Sequence, residues 1–230
     1  MKANRLLLLL LSFTSLFPLC LKPLMAGEFD PLNTTEFNRA LNLAIPTTAV
    51  MRTAAVSSSQ TVSSPIAAMT IPATETLLVE RHINQKGQNG RLADVYSYDY
   101  AKNETVFSVV DLTTNKVLST ERKQKLQLPL TANELQRATD LIFADAEERR
   151  LLNTEYKRIT GKELTSVSQL NVKAFVFDAE SLPERLNPAS KQCGLHRCAQ
   201  VLLYTHASVV FEVSPIVNLS KGVVTQNIGF

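Results

Sequence analysis

The chain has 230 residues, with 24 Lys and Arg against 21 Asp and Glu, for a net charge of +3. So slight and scattered an excess does not make the clustered basic surface that a nucleic-acid backbone needs. An apolar share of 45% is ordinary for a globular protein and supports one or two cored domains.

Residues 1–26 read as a secretory signal peptide. Lys2 and Arg5 precede an apolar run that begins at Leu6, carries Pro18 and fades near Leu21, and the small pair Ala26-Gly27 follows. The run is shorter than the roughly 20 apolar residues of a spanning helix, so no membrane contact is expected beyond this segment, with an uncleaved anchor as the alternative. Cys20 follows the bulky Phe17-Pro18-Leu19, unlike the small residues of a lipoprotein signal. Residues 27–75 read as a flexible tether. Glu36-Phe37-Asn38-Arg39-Ala40-Leu41 offers a short helix start, and stretches such as SSSQTVSSP bury too little apolar surface to offset ordering entropy.

A first folded unit is expected over residues 76–161. Residues 76–83 suit a strand or a short helix, and Gly87-Gln88-Asn89-Gly90 a turn. Tyr96, Tyr98 and Tyr100 alternate with smaller residues in the period of two of a half-buried strand. Strands over residues 106–112 and 117–122 complete an antiparallel meander with one face for a helix to cover. Thr131-x-x-Glu134 is a capping box behind Pro129, and Leu135, Ala138, Leu141 and Ile142 form the helix stripe. Asp145-x-x-Glu148 starts a second helix that Gly161 ends.

A second unit is expected over residues 162–230: a strand near 167–177, a long loop over 180–197, and strands over 197–205, 209–217 and 223–228. With Cys20 removed by export, Cys193 and Cys198 are left as a pair, and an oxidising compartment favours a disulfide between them. The competing zinc site from Cys193, His196 and Cys198 lacks a second ligand pair.

The chain states one phrase twice. VYSYDYAKNETVFSVVDLTTNKVLS at 95–119 is answered by VLLYTHASVVFEVSPIVNLSKGVVT at 201–225, with Asp111-Leu112-Thr113 matching Asn218-Leu219-Ser220. Such repetition marks one β unit built twice. Asp111 and Asn218 are placed to cap the turns that follow them. No Gly-x-Ser-x-Gly elbow or phosphate-cradling glycine loop occurs. His82, His196 and His206 stand in separate segments without metal-ligand spacing and read as surface residues. Tyr96, Tyr98 and Tyr100 form a candidate binding face, although packing on neighbouring elements is the preferred reading.

RLADVYSYDYAKNETVFSVVDLTTNKVLS, followed by LPLTANELQRATDLIFAD, resembles the non-catalytic N-terminal domains of copper amine oxidases, where a Val-Asp-Leu meander precedes Pro-Leu-Thr and an acidic helix. Here these are Val110-Asp111-Leu112 and Pro129-Leu130-Thr131 with Glu134. The resemblance implies an α+β fold of two cystatin-like units, each a curved antiparallel β-meander packed on helix. It does not carry the chemistry. The family's quinone-forming tyrosine follows Asn, and none of the five tyrosines here does; nor do the histidines show the copper spacing. No cofactor is therefore expected. The expected role is an exported, periplasmic or secreted, binding or assembly protein with an unidentified protein partner and no catalysis of its own. The alternatives are an accessory partner of a separate amine oxidase and a protease-inhibitor-like module.

Overall fold

The computed structural model describes residues 30–45, 52–53, 70–84 and 90–229, with backbone alone at Arg52, Thr53 and Thr70. The expected signal segment, residues 46–51 and 54–69 of the expected tether, and Gly87-Gln88-Asn89 lie outside them. The described residues from Pro31 onward belong to one compact unit.

Part of the expected tether is a packed element. Helix α1, Thr34–Ala44, starts at a full capping box: the Asn33 side chain accepts from Glu36 N–H, and the Glu36 carboxylate accepts from Asn33 N–H. Ala40 on α1 is fully buried, because this helix lies on a sheet. The short strands β1, Arg52–Thr53, and β2, Thr70–Ile71, pair antiparallel. The flexible reading of residues 27–75 is therefore corrected for α1 and for these two strands.

Strands β3 (Thr74–Arg81), β4 (Leu92–Asp99), β5 (Glu104–Asp111) and β6 (Lys116–Lys123) form one antiparallel sheet in chain order. The first of them resolves the ambiguity between strand and helix in favour of strand. Helices α2 (Ala132–Ala144) and α3 (Ala146–Thr160) follow. Thr131 and Glu134 close the expected capping box, Asp145 caps α3 by accepting from Glu147 and Glu148 N–H, and Gly161 ends it in the left-handed region at φ 73°. Strands β7 (Leu170–Val176), β8 (Cys198–Thr205), β9 (Val213–Asn218) and β10 (Val223–Gly229) make a second antiparallel sheet, again in chain order.

The helix cover differs from the expected one. The sequence places α2 over the meander that precedes it, but α2 lies against β7, β8, β9 and β10. The inner face of the first sheet is already occupied, because α1 packs on β3, β4, β5 and β6. Each sheet thus takes the helix that precedes it in the chain.

The two halves match residue by residue. The first core gathers Ala40, Ala93, Val95, Val110 and Leu112. Ala138, Ala199, Val201, Val217 and Leu219 sit in the second. Ala93 pairs with Val110, and Ala199 with Val217, in the same register. Leu112 N–H donates to Arg91 O and Leu219 N–H to Arg197 O, each at 2.9 Å. Asn115 and Gly222 take the same left-handed place in the turn, at φ 56° and 68°. The repeat expected from the strands is real and extends to the helices.

Candidate functional site

The chemistry-bearing side chains converge where the two halves meet. Arg197 stands just before β8 and is fully buried, as is Glu134 in the first turn of α2. Arg197 grips the carboxylate with two prongs, Nε to Oε1 at 2.7 Å and Nη2 to Oε2 at 2.8 Å. Its remaining donors reach Leu128 O at 2.6 Å, Pro129 O at 2.9 Å and Gln127 Oε1 at 3.1 Å. A planar fork suits this task, since every N–H needs an acceptor once water is excluded.

The first half reaches into the same cluster. Tyr100, just past β4, donates its hydroxyl to Glu134 Oε1 at 2.7 Å and accepts from Arg137 Nη2 at 2.7 Å. Arg137 Nη1 donates in turn to Glu75 Oε2 on β3 at 3.2 Å, and Thr131 Oγ1 donates to Glu75 Oε1 at 3.1 Å. The Arg197 guanidinium lies 5.7 Å from the centre of the Tyr98 ring. Glu75 and Glu134 against Arg137 and Arg197 are two carboxylates against two guanidiniums, so the buried cluster carries no net charge.

The electrostatics make the cluster a fastener. Burial pushes the Glu134 carboxyl up, but the Arg197 hydrogen bonds and charge outweigh it and leave the group below its ordinary range. Burial lowers Arg197, and the same carboxylate more than restores it. Burial, then the Glu134 charge, raises the Tyr100 phenol far above its ordinary value, so it stays a proton donor. A saturated carboxylate, a permanent cation and a locked phenol offer neither a free base nor a nucleophile.

The first half holds a second version of this clamp. Arg91, just before β4, donates through Nε to Glu36 Oε1 and through Nη2 to Glu36 Oε2, both at 2.9 Å, and through Nη2 to Pro31 O at 2.8 Å. The Arg91 hydrogen bond draws the Glu36 carboxyl below its usual range. Here the paired side chains are 13% and 14% exposed, against 0% for Arg197 and Glu134. These arginines and glutamates escape a reading by strand periodicity. Their signal is PLNTTEFNRA at residues 31–40, answered by PLTANELQRA at residues 129–138.

The expected site residues fall as follows. Tyr98 and Tyr100 are 1% and 4% exposed, so for these two the preferred reading of packed side chains holds and the alternative of an open binding face is corrected. They meet edge to face at 4.9 Å and lie in the core that holds α2. Tyr96 is half-buried and stacks on Phe107 at 4.7 Å. Cys193 and Cys198 form a disulfide with Cα atoms 5.4 Å apart, so neither thiolate is free for a metal. The bridge sits in a small core with Phe177, Leu186, Ile216 and Ile228, where the long loop folds onto the second sheet. His82 contacts Asp94 at 2.7 Å, His196 contacts Asn218 at 3.0 Å, and His206 is exposed. Among the described residues no group of three His, Cys, Asp or Glu is arranged to hold a metal ion. Asp111 Oδ1 accepts from Thr113 and Thr114 N–H, and Asn218 Oδ1 from Lys221 N–H, as the turn chemistry requires. Among the described residues no helix is long and apolar enough to cross a membrane.

No family model matches the chain, and no curated protein does. Solved structures do. A copper-containing benzylamine oxidase from Hansenula polymorpha matches over 89% of this chain with a TM-score of 0.55 at 12% identity. The match spans 30% of that protein's length. The likeness is one of fold, and it agrees with the resemblance to copper amine oxidases carried by the Val-Asp-Leu and Pro-Leu-Thr phrases.

Proposed function

We propose that this chain is an exported, non-catalytic binding or assembly protein built from two cystatin-like units, each a helix followed by a curved four-stranded meander. The observation that carries this reading is the joint. Its buried ionisable groups, Glu134, Arg197 and Tyr100, are engaged in tying one half to the other. Export is supported by the basic, apolar, small order of residues 1–26 and by a disulfide of the kind that persists in oxidising compartments. The test is affinity capture of the tagged chain from the exported fraction, with a peroxide assay of the purified chain on benzylamine. Stoichiometric protein on the bait and no peroxide are expected. Turnover by the purified chain contradicts the reading.

The fold likeness to part of an oxidase favours one second reading, an accessory that acts beside a separate amine oxidase. Recovery of an oxidase in the same capture supports it, and recovery of other proteins without one counts against it.

A further inference from the structure

The internal joint is a worked example of how one unit docks on the next. The first half supplies a tail: Glu75 on β3, with Tyr98 and Tyr100 at the end of β4. The second half supplies a head: the stripe of Glu134, Arg137 and Leu141 on α2, backed by Arg197. The duplication places a second head and a second tail elsewhere on the molecule.

The second head is on α1. Glu36, Arg39, Ala40 and Leu43 repeat Glu134, Arg137, Ala138 and Leu141 in residue type and spacing, with Arg91 in the place of Arg197. In α2 the last of these leucines is only 6% exposed, under the joint. On α1 the same stripe borders an open cavity of about 500 Å³ lined by Thr35, Asn38, Arg39, Asn42, Leu43 and Asn115. Arg39 is exposed and donates to Leu112 O at 3.0 Å.

The second tail is at the end of β8. Tyr204 and His206 stand where Tyr98 and Tyr100 stand in the first half, counted from Arg197 as those are from Arg91. Asn171 pairs with Tyr204 as Glu75 pairs with Tyr98. This end is open too. His206 is exposed, Val209 is 44% exposed, and with Tyr156 and Thr205 they border a cavity of about 490 Å³.

We infer that copies of this chain associate head to tail, the Tyr204–His206 end of one seating on the Glu36–Arg39–Leu43 stripe of the next. The polar pairings repeat those of the internal joint, and the second tail adds Lys173, whose Nζ lies 5.8 Å from the centre of the Tyr204 ring. His206 donates to Glu36 where Tyr100 donates to Glu134, Tyr204 lies over Arg91 where Tyr98 lies near Arg197, and Asn171 accepts from Arg39 where Glu75 accepts from Arg137. Such a contact is heterologous, so it propagates into rings or filaments. The inference names the partner that the assembly reading leaves open, and it rests on that reading.

Sedimentation equilibrium of the full chain tests it, with Arg39→Ala as a damaged head and His206→Glu as a damaged tail. Wild type is expected to form concentration-dependent oligomers, and each variant to weaken association at least about tenfold, since a like-charge contact or a lost polar pair costs this much or more. Mixing the two variants must then restore a dimer of one copy of each, which no further copy can extend. Arg39→Gln replaces the alanine variant if circular dichroism shows the latter unfolded. A wild type that stays monomeric, a dimer indifferent to both variants, or variants that fail to complement each other overturns the inference. A monomer that still captures another protein stoichiometrically overturns it alone and leaves the assembly reading standing.

Discussion

Arg197 illustrates how much one side chain carries when water is excluded. Replacing it with Met leaves the Glu134 carboxylate buried without its cation, and removing one member of a buried pair costs about 3–5 kcal/mol. Changing both partners to apolar residues of similar volume is expected to cost less than either single change, as a double-mutant cycle by urea denaturation can show. Arg91→Met, at the more exposed clamp, is expected to cost clearly less than Arg197→Met. Glu148 behaves oppositely to Glu134. Burial holds its carboxyl above the ordinary range, and both its oxygens accept from Asn227 Nδ2 at 2.7 Å. The buried Asn227 Oδ1 accepts nothing among the described residues. A raised carboxyl pKa favours the folded state at low pH, and that advantage is lost as pH rises through the folded value. Glu148→Gln keeps an oxygen to accept from Asn227 Nδ2 and removes the buried charge. It is expected to gain about 1 kcal/mol at pH 7 and nothing below pH ~4, where Glu148 is itself neutral in the folded and unfolded chain. Thermal melts at the two pH values check this; an equal gain at both contradicts it.

At the scale of elements, caps and turns are legible because they are local. Thr131-x-x-Glu134, Asp145 and Gly161 mark α2 and α3 at the places the structure gives them. Gly161→Ala is expected to cost about 1 kcal/mol from backbone strain alone, since a Cβ there meets nothing within 4 Å. Which sheet a helix covers is not local. The stripe of α2 shows that one face is buried, but the covering surface is chosen by the prior claim of α1 on the first sheet. The packing of α1 was equally unreadable from composition, although its cap, Asn33-x-x-Glu36, stands in the sequence. The Cys193–Cys198 bridge follows from cysteine arithmetic and spacing. It closes a short loop against the second sheet, so its reduction is expected to lower stability by about 2 kcal/mol on a chain-entropy account, measurable by urea denaturation with and without reductant.

At the scale of the molecule, the strand half of the repeat is visible in apolar alternation, and the helix half is visible in PLNTTEFNRA against PLTANELQRA. The joint between the halves is visible in neither, because Arg197, Glu134 and Tyr100 come together only through the fold. That joint is what makes two similar units one body, as it binds β3 and β4 of the first sheet to α2 and to the start of β8. Hydrogen exchange in rising urea reads each half separately through the amides of β4 and β5 and those of β8 and β9. Both sets are expected to lose protection at one shared urea concentration in the wild type, and at two separate ones in Tyr100→Ala. Two distinct midpoints in the wild type would show that the buried cluster does not couple the halves.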